Sequence, residues 1–160
     1  MGDFEAAWRL SRSRFVDAIT GLSHEQLNWR LHPSSLTLGE SALHVAGVEV
    51  SFISQLLDLP LDAHLTKLKL AATEGVVNDA PFPFPSEEIT PEAVADALAT
   101  SEKMVEPVIH DPIEPVRQKV IKSALGPMID GSGAMARLAF HAAYHQGQAH
   151  LIKTAPGFPA

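Results

Sequence analysis

From Leu138 to Ile152 the chain places Leu138, His141, His145, Gln148 and Ile152 at successive steps of three, four, three and four residues. In an α-helix that series is one stripe, and a bundle helix normally uses such a stripe to carry Leu, Ile and Val into the core. Here its centre is His-His-Gln, inside a run, FHAAYHQGQAHL, that is otherwise apolar and alanine-rich. Polar side chains in such surroundings are costly without partners. The stripe therefore sets two requirements: a neighbouring helix must pack over it, and something must answer the imidazoles. Side chains four residues apart stack about 6 Å apart at Cβ, which brings two ring nitrogens within reach of one divalent cation. The positions opposite the stripe are small (Ala136, Ala139, Ala142, Ala143, Gly147, Ala149), which lets neighbouring helices approach closely.

A second helical pattern supplies a partner. Thr37-Leu38-Gly39-Glu40 fits a capping box, with Thr37 as N-cap and Glu40 at the third helical position. The helix then runs GESALHVAGVEVSFISQLLDL and stops before Pro60. His44 lies about two turns in, on a face that also carries Glu40, Ser41, Gly47, Val48, Ser51 and Gln55. That face is polar and small on a helix otherwise built of Leu, Val, Phe and Ile. Two helices with polar notches in apolar surfaces are suited to face each other, and His44, His141 and His145 are the candidate ligands of one metal ion.

The rest of the chain reads as helices between proline-marked connections. Phe4, Trp8, Phe15, Ile19 and Leu22 share a helical face, predicting a helix over 3–20 that ends near Gly21. Residues 22–36 read as a connector, and LDAHLTKLKL as a helical turn or two. Pro81, Pro83 and Pro85 exclude a helix interior from 72–90. That segment reads as a rigid surface connection rather than a lid. Thr90-Pro91 gives an N-cap followed by proline at the first helical position. Val94, Leu98, Val105 and Val108 then stripe a helix to about residue 110, with Pro107 in its last turn. A second irregular stretch follows, with a short extended piece at RQKVIK. The last helix starts at Asp130 or Ser132 and runs to about Ala155. Four long helices and no convincing strand pair predict one all-α domain over 1–160, a four-helix bundle with long irregular connections.

Composition removes several functions. With no cysteine there is no disulfide and no thiolate nucleophile, and any metal must be held by nitrogen and oxygen. The formal charge is −7 and no Lys/Arg cluster stands out, which argues against nucleic acid and anionic membranes as partners. No apolar run reaches the length of a membrane span, and the first residues lack the pattern of a signal peptide, so a cytoplasmic protein is expected. Residues 142–144 are Ala-Ala-Tyr, so the metalloprotease pattern H-E-x-x-H is missing. No Asp or Glu stands three positions before a histidine, which removes the di-iron bundle pattern. His24, His32, His64, His110 and His150 read as loop or surface residues.

Three neutral imidazoles leave the charge of a dication largely uncompensated, so a water or an exogenous thiol in an open position would be acidified. Imidazole suits zinc, nickel and other transition metals, with zinc the first expectation. Gln148, Glu40 and Glu49 are candidates for orienting the ligands or touching substrate. No catalytic residue is assigned. An enzyme acting on a small molecule is favoured, because structural zinc sites are usually closed and sulfur-rich. The alternative is a non-catalytic metal-binding or stress-response module.

Three features resemble the DinB/YfiT-like superfamily. NWRLHPSSLTLGESALHVAGVE is similar to its tryptophan-proline segment leading into a helix with an early histidine. GPMIDGSGAMARLAFHAAYHQGQAHLIK is similar to its final helix, marked H-x-x-x-H-x-x-Q. Roughly a hundred residues separate the two histidine positions. The resemblance implies a metal-binding four-helix bundle with His44, His141 and His145 as ligands and open water positions. It also implies one divalent ion per chain, a homodimer, and a small-molecule substrate. Thiol-dependent transferases using bacillithiol or mycothiol are among the relatives, which makes a hydrolase or a low-molecular-weight-thiol S-transferase the expected activity.

Overall fold

Three of the four long helices begin where a side chain satisfies the free N–H groups of the first turn. In the computed structural model, which describes residues 2–124 and 126–160, Thr37 and Glu40 close the expected capping box on α3, Leu38–Leu57. Thr90 accepts from Ala93 N at the start of α5, Pro91–His110, with proline at the first position and Pro107 in the last turn. Asp130 caps α7, Gly131–Lys153, through Gly133 N. The first long helix, α1, covers Glu5–Ile19 and is followed by Gly21 at φ +79°, a conformation that glycine adopts without strain. Leu125, in the second irregular stretch, and Met1 lie outside the described residues.

Three shorter helices complete the set: α2, His24–Asn28; α4, Ala63–Leu70; and α6, Glu114–Gln118. The first corrects the reading of 22–36 as a plain connector. Ser23 and Gln26 form a capping box of their own, but five residues are too few to show a periodicity. The expectation that no strands pair is also corrected. Ile121–Lys122 (β1) and Met128–Ile129 (β2) form an antiparallel hairpin, with Ile121 opposite Ile129 and Lys122 opposite Met128. Two residues per strand leave no alternation to read in the sequence. Of the RQKVIK piece, only its last two residues pair as a strand, while Arg117 and Gln118 end α6.

The fold is all-α apart from that hairpin. Helix α1 packs along α7, α3 along α5, and α3 also meets α4 and α7. The centre of this arrangement is α3: every residue from Thr37 to Val50 is buried. Among the described residues no helix is long and apolar enough to cross a membrane.

One side of α3 is pinned by a buried ion pair. The Glu49 carboxylate accepts from Trp8 Nε1 at 3.0 Å, from Arg12 Nε at 3.0 Å and from Ser101 Oγ. Arg12 also donates to the Leu98 carbonyl and lies 3.2 Å from Glu102. The cluster ties α1, α3 and α5 together and leaves its charges answered on all sides, the condition under which a buried pair is tolerated.

Candidate metal centre

The opposite side of α3 carries His44. Its Nδ1 donates to the carbonyl of Ala71 at 2.9 Å. A carbonyl only accepts, so the proton sits on Nδ1 and the Nε2 lone pair is turned outward, the arrangement that orients a metal-ligating histidine. Gly47, one turn along, permits this. A Cβ there would lie 2.5 Å from the Leu68 carbonyl oxygen and 3.0 Å from Ala72 N, so only glycine lets the 68–72 backbone come close enough to present Ala71. Gly47→Ala is expected to push that segment off α3, at a cost of about 1–3 kcal/mol. It should also weaken metal affinity about 10–100-fold by loosening His44. Chemical denaturation and metal titration of the same sample check both effects.

Helix α7 brings His141 and His145 to the same point. His141 Nε2 lies 3.1 Å from His44 Nε2 and 3.2 Å from His145 Nε2. One ligand atom from each ring can be chosen so that all three lie within 4.8 Å of one another. Ligands of a tetrahedral zinc at ~2.1 Å stand ~3.4 Å apart, close to the two short separations. Without a cation, a single proton on His141 Nε2 would have to be shared between both neighbours. The Nδ1 atoms of His141 and His145 are buried with no hydrogen-bond partner. One cation accepting all three Nε2 lone pairs removes the conflict. The residues fit a divalent ion, and the three histidines are positioned to hold one.

Burial sets the protonation of the triad. It lowers the pKa of His145 to about 3, with His44 adding to the shift and Gln148 opposing it. His141 is held well below the ordinary range by burial, then by His145, His44 and Arg137. Burial also lowers His44, against the bond to Ala71. All three rings are therefore neutral, the ligating form, at neutral pH. These shifts have a consequence for chelator-treated protein. A histidine with a depressed folded-state pKa takes its proton first in the unfolded chain. Stability is then fully present above about pH 6.5 and falls as pH drops toward about 3. The slope approaches about 1.4 kcal/mol per pH unit for each such histidine. Urea unfolding at pH 7, 6, 5 and 4 is expected to show a steeper loss than the same series on His141→Leu/His145→Leu.

The triad lies in the wall of a cleft of about 1170 Å³. Gln148 and Glu40, two of the three supporting candidates, also line it. Glu40 is already engaged, accepting from Thr37 N at 2.8 Å and pairing with Arg30 at 2.6 Å. Glu49 is not brought to the cleft; its partners are the α1 and α5 groups described above. Arg30, Arg137 and Tyr144 line the cleft and were not singled out from sequence. A signal existed for one of them: Arg137 stands four residues before His141, on the same helical face. Tyr144 packs its ring edge-on to His145, with centroids 5.2 Å apart.

A helical bundle whose two facing long helices contribute three converging histidines beside an open cleft defines the class: a protein of the DinB/YfiT-like superfamily. Within it, a family model described as mycothiol-S-transferase matches residues 3–155, and the chain belongs to that family. No curated protein and no solved structure matches the chain.

Proposed function

We propose that this chain is a divalent-metal-dependent thiol S-transferase, with zinc as its ion. It would join the sulfur of a low-molecular-weight thiol, mycothiol by the family's description, to a small electrophile. The observation that carries this reading is the triad opening on a large cleft in a chain with no cysteine. The protein has no sulfur nucleophile of its own, so the thiol must come from outside. The cleft exceeds the ~300–1,000 Å³ that holds one drug-sized ligand, which leaves room for thiol and electrophile together.

His44, His141 and His145 would hold the ion, and Ala71 would fix the His44 ring. The ion supplies Lewis acidity that deprotonates a thiol placed in its open position at neutral pH. The chain's own contribution is placement. Val48, Phe52 and Ile152 form apolar wall beside the triad and keep bulk water from the sulfur. The thiol would lose its proton to solvent, and the sulfur–carbon bond would form as the bond from that carbon to the leaving group breaks, the leaving group departing with that electron pair. Hydrolysis would use the same site, and family membership favours the thiol.

The test is conjugation of monochlorobimane by metal-loaded protein with mycothiol, with glutathione and with no thiol. The expected result is acceleration that requires the thiol and disappears in His145→Ala. Rates equal to the uncatalysed reaction with every thiol would overturn the proposal.

A further inference from the structure

The chain as a whole is acidic, with 19 Asp and Glu against 12 Lys and Arg. Its cleft has the opposite balance. Among the described residues, the fully charged side chains lining it are Arg30, Arg137 and Glu40. Glu40 and Arg30 neutralise each other at 2.6 Å. Arg137 is left as a cation whose hydrogen bond goes to a neutral group, Ser123 Oγ, at 2.6 Å. No carboxylate pairs with it among the described residues, whereas Arg9, Arg12, Arg30 and Arg117 each pair with one. It is half-buried, and it stands one helical turn before His141 on α7, which places it beside the triad. A guanidinium presents a planar fork of donors that matches a carboxylate in two parallel hydrogen bonds. In a partly desolvated cleft that match is worth more than at an open surface.

We propose that Arg137 is a specificity-determining residue that binds a carboxylate carried by one of the two reactants of the cleft. The inference rests on the thiol-transfer reading for the roles of those reactants, but the anion site itself does not depend on catalysis. Mycothiol carries no free carboxylate, its cysteinyl carboxyl being an amide, so the carboxylate belongs to the electrophile, and Arg137 holds it about one helical turn from the triad. The rest of that reactant then lies along the apolar wall toward His141.

Binding is measured first, on metal-loaded protein by calorimetry, with 4-phenylbutyrate and with its uncharged amide, 4-phenylbutyramide. The expected result is that the acid binds at least about tenfold more tightly than the amide. Arg137→Met, which keeps the stem and removes the fork, is expected to abolish the preference, and Arg137→Lys to retain part of it. A carboxylate ligating the metal directly, or bound by Arg30, would keep its preference in Arg137→Met. That outcome overturns the proposal, as does equal binding of acid and amide by the unaltered protein. Melting curves and metal content of both variants show that they are folded and loaded. These readouts need no turnover, so a failure of thiol transfer leaves them intact, and a working transferase with no acid preference sinks this proposal alone. Where transfer is observed with an electrophile that bears a carboxylate, Arg137→Met should raise the KM for that electrophile at least about tenfold and leave the KM for mycothiol unchanged. A fall in kcat with neither KM moved overturns the assignment.

Discussion

His145→Ala is expected to lower the metal content of protein purified without chelator or nickel resin from about one ion per chain to a small fraction of that. The ring it removes is 4% exposed, and its Nε2 lies 3.2 Å from that of His141. Two imidazoles remain, with no carboxylate or thiolate in the candidate ligand group to replace the third. Altering a mere supporting partner of a ligand already costs about 10–100-fold in affinity, so losing the ligand itself should cost more than 100-fold. Elemental analysis and metal titration measure it. Thiol transfer should fall with the metal content. The folded chain should survive, because the substitution deletes a buried polar ring whose Nδ1 has no partner. With metal present, the variant should melt lower than the unaltered protein, which gains the linkage energy of a bound ion. With chelator present, the gap should close. His150→Ala, five positions on and exposed, is the control and should keep its metal. Equal metal content in the unaltered protein and His145→Ala would remove the triad as a binding site.

Arg12→Leu should do the reverse, damaging the fold and sparing the site. Arg12 is 4% exposed and Glu49 is 2% exposed. Removing the guanidinium leaves the carboxylate buried with only Trp8 and Ser101 as donors. Breaking a buried pair from one side costs about 3–5 kcal/mol. For a chain of this length each kcal/mol lowers Tm by about 2–4 °C, so a fall of about 6–20 °C is expected. Arg12→Leu/Glu49→Leu should recover part of the loss, since the orphaned charge is gone. Metal affinity at a temperature where Arg12→Leu is folded should stay within about threefold of the original, because the two clusters share no partner. A large affinity loss would mean that the ion pair and the triad are coupled through α3.

The sequence was most legible where a few adjacent residues decide the structure. The Thr37–Glu40 box, the Thr90-Pro91 start and the prolines of 81–85 act within one turn, and the helices begin and stop where they say. The His141–His145 spacing is legible for the same reason, and placing His44 opposite needed only the polar notch in an apolar helix. Glu49 shows where such reading ends. Five residues from His44, its direction was open, and the groups that answer it come from positions 8, 12 and 101, distant in the chain. The short helix at 24–28 and the hairpin at 121–129 escaped because periodicity needs more residues than they contain. The support for His44 escaped too: it is a backbone carbonyl, which carries no side-chain signature, delivered by a close approach that Gly47 permits.

Helix α3 carries one polar anchor on each side, His44 held at Ala71 and Glu49 held by Arg12. A shift of one residue in its packing would turn the helix by about 100°, stranding both anchors among apolar side chains. The helix is thus indexed, and its position cannot be traded for a new specificity. Sequence change that alters which molecule enters is confined to the rim, at 31–36, at 75–82 and along the exposed edge of α7 at Phe140 and Leu151. A scaffold divided in this way can diversify its clientele while inheriting its metal chemistry unchanged.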